Sequence, residues 1–131
     1  MAARTRFIAP PREAVVPTVF DHPIYAAFQA HRDLFAGLDW PDYEALNERI
    51  PADVAQRFVV QDDNLLKDGL HYESRIHDHA RIPTRAQNWH DLFNALIWIE
   101  HAPIKLALNR VKWYYKVVTI PYEATFDETG E

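Results

Sequence analysis

The chain contains no cysteine. That excludes a disulfide framework, an iron–sulfur cluster, a thiolate zinc site and cysteine catalysis, and it fits a reducing compartment, so a cytoplasmic location is expected. Glycine is nearly as scarce, with three residues in 131, which leaves little from which to build a loop that cradles nucleotide phosphates. The G-x-G-x-x-G, P-loop, G-x-S-x-G and H-E-x-x-H patterns are all missing. No run approaches the ~18 consecutive apolar residues of a membrane span. The N-terminus lacks the unbroken apolar stretch of a secretory signal. A soluble protein without a membrane partner is the expectation.

What is present is ordinary globular material, 48% apolar and 25% charged. A chain of this size holds one core more readily than two. The net charge of −5 is unevenly spread: residues 1–74 carry −5, residues 75–116 carry +4 and residues 117–131 carry −4. The basic middle segment is a candidate surface for an anionic ligand. The acidic total argues against broad nucleic-acid affinity, which stays an alternative for residues 75–116.

Three arginines and an early Pro10-Pro11 pair predict an extended N-terminal arm over 1–19, followed by a single globular domain over 20–131. Phe20, Ile24, Ala27, Phe28, His31, Leu34, Phe35 and Leu38 recur at helical spacing, with Asp21 as cap and Gly37 as stop. A short helix follows the Trp40-Pro41 step, with Asp39 or Trp40 as its cap and Tyr43, Leu46 and Ile50 inward. Strands are expected near 58–61, 70–77 and 115–120, the second from a loose alternation of Leu70, Tyr72 and Ile76 with His71, Glu73, Arg75 and His77. Residues 89–99 hold Trp89, Leu92, Phe93, Leu96, Ile97, Trp98 and Ile99. Thr84-Arg85-Ala86-Gln87 has the form of a capping box before that run, and Asn88 is the alternative cap. A further helix begins at Pro103 and runs to about Lys112. The fold class is therefore α+β: a mostly helical single domain around a central Trp-rich helix, with a small β-sheet.

Chemistry concentrates on the same helix. His90 and Asn94 lie one turn apart, with Asp91 beside them. Such a set serves as a general base with its orienting partner, and as a catalytic trio His90, Asp91 and Asn94 are the candidates. The bland alternative is the wet edge of an amphipathic helix. Thr84, Arg85 and Arg81 flank the start of the helix, where free N–H groups and an arginine favour an anion; the alternative is that Arg85 pairs internally, with Glu73. His77 and His79 share a face if the strand continues there, and with His90 they are the remaining candidates for a zinc site, which needs three or four converging ligands. No cofactor is otherwise implied.

Tyr72-Glu73, Arg75-Ile76, Ile82-Pro83-Thr84-Arg85, the run Asn88 to Trp98, and Lys105 with Ala107-Leu108-Asn109 together resemble a bacterial family known as domain of unknown function 3025. The resemblance covers about 20–110, and residues 124–130 look like a further family segment. It implies a soluble bacterial protein, points to His90, Asp91, Asn94, Thr84 and Arg85, and implies no activity. Family members are about twice as long, so a C-terminal half is expected to be absent here. His77, His79 and His101 stand outside the motif.

The functional expectation is a non-catalytic module that binds a protein partner or a small anionic ligand. The alternative is a hydrolase-like enzyme using His90 with Asp91 or Asn94 and an anion site at Arg85.

Overall fold

A computed structural model of the protein describes residues 8–118. Residues 1–7 of the expected arm, the end of the expected strand at 119–120 and the segment 124–130 lie outside the described residues. The chain divides into two compact units, Met1–Pro41 and Asp42–Glu131.

The first unit is built from tight turns. Arg12–Ala14, Pro17–Asp21 and Pro23–His31 are 3-10 helices, and only Arg32–Ala36 (α1) is α-helical. The expected helical stripe is corrected here: Ile24 and Leu38 are exposed, because three residues per turn do not keep a 3.6-residue stripe on one face. The cap is His22, whose Nδ1 accepts from Ile24 N–H at 3.1 Å, with Pro23 in the first turn. Phe20, Tyr25 and Phe35 form a ring cluster with centroids 5.0–6.3 Å apart. Arg12 is buried and donates from Nε to Gly37 O and from Nη2 to Leu34 O, both at 2.7 Å. A cation thus sits on the last carbonyls of α1, where the helix dipole favours it.

The second unit opens with Tyr43–Asn47 (α2), capped by Asp42 accepting from Ala45 N–H at 2.8 Å. Then come Arg57–Val60 (β1), Asp63–Leu66 (α3), Tyr72–His79 (α4), Arg81–Thr84 (β2), Trp89–Glu100 (α5) and Ala102–Val118 (α6). β1 and β2 pair in parallel, Phe58 opposite Ile82 and Val60 opposite Thr84. The connection between them carries α3 and α4, the helical crossover that parallel strands require. Pro83 is tolerated in β2 because a two-stranded sheet leaves every strand an edge. The fold is a mostly helical α+β arrangement with one small sheet.

The core of this unit is Leu46, Ile50, Val54, Phe58, Ile76, Ile82, Leu92, Ala95, Leu96, Trp98, Ile99 and Ala102. Five of the twelve lie on α5, as a central Trp-rich helix requires. Trp89, Phe93 and Ile97 are half-buried, with Trp89 stacked on Phe93 at 6.3 Å.

Two strand expectations are overturned. Residues 72–79 form α4, because Tyr72, Arg75, Ile76 and His79 also fit a three-and-four spacing. Arg75 and Ile76 are buried together on that face. The segment from 115 is helical through Val118. Its aromatic and β-branched residues favour a strand only weakly, and Trp113 ties α6 to α4 instead. The Trp113 ring stacks on His77 at 3.8 Å, and its Nε1 donates to Asp78 Oδ2 at 3.2 Å. The strand partner of β1 is β2, which ends on Thr84, the first residue of the expected capping box.

Candidate functional site

The capping motif before α5 resolves in favour of Asn88. Its Oδ1 accepts from Asp91 N–H at 2.9 Å, and Gln87 takes a left-handed backbone, φ 51°, which a capping box does not allow. Turning the chain there brings Arg85 back over the first turn of α5. Arg85 Nε donates to Asp91 Oδ2 at 2.9 Å and Nη2 to Asp91 Oδ1 at 3.0 Å, while Arg85 N–H donates to Oδ2 at 2.8 Å. The internal partner of Arg85 is therefore Asp91, not Glu73. Burial raises the Asp91 carboxyl, but the hydrogen bonds from Arg85 and His90 outweigh it and hold the pKa at about 2.

Asp91 also meets His90, Nδ1 to Oδ1 at 3.0 Å. The His90 imidazole is 84% exposed. Asn94 turns from His90 to Tyr72, its Nδ2 donating to the phenolic oxygen at 3.4 Å. The three residues of the expected trio thus lie together on α5, but Asp91 is shared between His90 and Arg85.

These side chains line one open cleft of about 430 Å³. Tyr72 and Glu73 of α4 form one wall, Arg85, His90, Asp91 and Asn94 a second, and Lys105 and Lys112 of α6 a third. Glu73 is held by buried Asn109, whose Nδ2 donates to Oε2 at 2.7 Å and to the Glu73 carbonyl at 3.0 Å. Lys105 and Lys112 lie seven residues, two turns, apart on α6. Neither makes a hydrogen bond or ion pair among the described residues. Lys105 is half-buried with Nζ 5.9 Å from the centroid of the Trp98 ring. Burial and the like charge of Lys112 lower its pKa, with Glu73 opposing.

The other expected site residues stand elsewhere. Thr84 is buried, its hydroxyl on Ile82 O at 2.9 Å, and its carbonyl accepts from Tyr43 at 2.7 Å. Arg81 is exposed at the opposite end of β2. Neither lines the cleft. His77 and His79 are corrected as a metal pair. On a helix, residues two apart point about 200° from each other, and His77 lies against Trp113. Among the described residues, no three His, Asp or Glu side chains gather as a metal site would require. No helix of the described residues is long and apolar enough to cross a membrane. Lys105 and Lys112 were not among the sequence candidates, although their two-turn spacing on a helix was there to read.

Every residue lining the cleft falls within 61–112. Residues 56–117 match the model of a family described as "Protein of unknown function (DUF3025)". The chain resembles DUF3025. The matched segment runs from β1 almost to the end of α6, starting later than the expected 20 and ending beyond 110. The DUF3025 segment therefore contains the whole cleft. No curated protein and no solved structure matches the chain significantly.

Proposed function

We propose that the protein is a non-catalytic binding module whose DUF3025 cleft takes a small anionic ligand. The observation that supports this reading is the state of the cleft's charges. Asp91 neutralises Arg85, whereas Glu73, held by the neutral amide of Asn109, keeps its charge. Lys105 and Lys112 line the same cleft without an ion pair among the described residues, so two ammonium groups face one carboxylate. The positive charge left in excess favours an anion in the cleft.

The hydrolase-like alternative rests on the His90–Asp91 contact. It is disfavoured because Asp91 is committed to Arg85 and His90 stands mostly in water. A hydrogen-bonded base gains most where water is excluded.

The test is a titration of the full chain with inorganic phosphate and with succinate, followed by amide chemical shifts. Saturable shifts around Lys105 and Lys112 that vanish in Lys105→Met/Lys112→Met support the reading. Shifts that persist in that variant, or none at millimolar ligand, overturn it.

A further inference from the structure

We propose that Lys105 is a nucleophilic amine and that the ligand of this cleft carries an aldehyde or ketone carbonyl beside its anionic group. This rests on the anion-binding reading and adds a covalent step to it, so that the module would hold its ligand as an imine.

A structural lysine in a folded domain has a carboxylate or a carbonyl to satisfy its ammonium, or keeps it fully in water. Lys105 makes no such hydrogen bond or ion pair among the described residues: it is half-buried beside the face of Trp98, and the charge of Glu73 reaches it without direct contact. The like charge of Lys112, in the same cleft, acts on it as well, with Glu73 opposing. Desolvation and a like charge are the two conditions that make a lysine amine reactive near neutral pH, and the direction of its pKa agrees.

The two lysines also divide the work. Lys112 sits about 10 Å farther along the helix axis, far enough to hold an anionic group while Lys105 reaches a carbonyl a few bonds away. Tyr72, in the same cleft, has its phenol pKa raised by burial, with the Asn94 hydrogen bond opposing, so it stays a proton donor. A hollow of about 30 Å³ shared by Tyr72, Glu73, Trp98 and Lys105 adjoins the cleft, room for one water molecule.

The step balances without an oxidant or reductant. The Nζ lone pair attacks the carbonyl carbon, a C–N bond forms, and the carbonyl π electrons move to oxygen, which takes a proton to give a carbinolamine. The C–O bond then breaks with protonation of the hydroxyl, water leaves, and the nitrogen lone pair closes the C=N bond. Both amine hydrogens end in the released water.

The probe is pyridoxal 5′-phosphate, which carries an aldehyde and a phosphate, incubated with the full chain at pH 7.5 and trapped with borohydride. The chain has four lysines, Lys67, Lys105, Lys112 and Lys116, so peptide mass spectrometry resolves the adducts. The expected result is a saturable adduct on Lys105, formed in clear excess over Lys67 and Lys116. Lys105→Arg should lose the adduct yet keep the phosphate-induced shifts. Lys112→Met should slow labelling by pyridoxal phosphate more than labelling by pyridoxal, because it removes the anion's partner as well as the like charge beside Lys105. Labelling spread over all four lysines by exposure overturns the amine. If phosphate still perturbs the cleft in that case, the anion-binding reading survives alone. Preferred labelling of Lys105 that inorganic phosphate does not protect overturns the anionic half and keeps the nucleophile.

Discussion

Arg85 and Asp91 close the connection between β2 and α5 with a two-point ion pair, Nε to Oδ2 at 2.9 Å and Nη2 to Oδ1 at 3.0 Å. The same carboxylate accepts the Arg85 backbone N–H. One acid therefore settles the arginine, the loop and the first turn of the helix that lines the cleft. The arrangement explains why a cation is tolerated beside a helix N-terminus, where the dipole opposes it. It also means that Arg85 has little charge left to offer a ligand.

Asp91→Asn keeps the shape and removes the charge. Because the Arg85 side chain is half-exposed, the orphaned cation is solvated, and the cost should be about 1–2 kcal/mol, less than for a fully buried pair. Urea unfolding of the variant beside the natural chain measures it; an unchanged midpoint would contradict the role given to the pair.

The same pair sets an acid limit. The folded-state pKa of Asp91, about 2, lies below its ordinary 3.8, so the folded state binds this proton less readily than the unfolded chain. Its stabilisation is fully present above about pH 4 and is lost as pH falls toward 2. The stability gap between the natural chain and Asp91→Asn should accordingly be constant from pH 5 to 7 and shrink below pH 4. A gap that ignores pH would show that the charge contributes nothing.

Asn88→Ala removes the acceptor of the Asp91 N–H and should cost about 1 kcal/mol, whereas Asn88→Ser should recover most of it. Thermal melting of both variants decides between this cap and one formed at Thr84, for which Asn88→Ala would be nearly silent.

Ala80 ends α4 in the left-handed region, φ 55°, with its N–H on the Ile76 carbonyl at 3.1 Å. A Cβ is strained there, and glycine is not. Ala80→Gly should therefore raise stability by about 1 kcal/mol, read as a higher melting temperature. A lower one would mean that the Ala80 methyl is needed for packing.

That alanine is also the reason α4 was hard to read. A glycine at 80 would have announced a helix end, but an alanine announces nothing. The loose alternation over residues 70–77 then reads equally well as strand. β2 was hidden by Pro83, which removes one ladder donor and imitates a loop. The extension of α6 past Lys112 was hidden by Trp113, Tyr114 and Tyr115, whose local preference points to a strand. By contrast, α2 and α5 were legible from their apolar stripes, which are local signals, although their caps proved to be Asp42 in place of Asp39 or Trp40, and Asn88 in place of Thr84.

By itself the sequence determined the exclusions that follow from no cysteine and three glycines, the burial of the Trp98 helix, and the presence of His90, Asp91 and Asn94 on that helix. These depend on composition and on spacing within one turn or two, which the backbone geometry converts directly into faces. Only the tertiary structure decided that Arg85 meets Asp91, that β1 pairs with β2, and that Lys105 and Lys112 complete the cleft with Tyr72 and Glu73. Those relations join segments that are separate elements along the chain. Their partners are chosen by packing and by which charges the fold leaves unpaired, quantities that no local window contains.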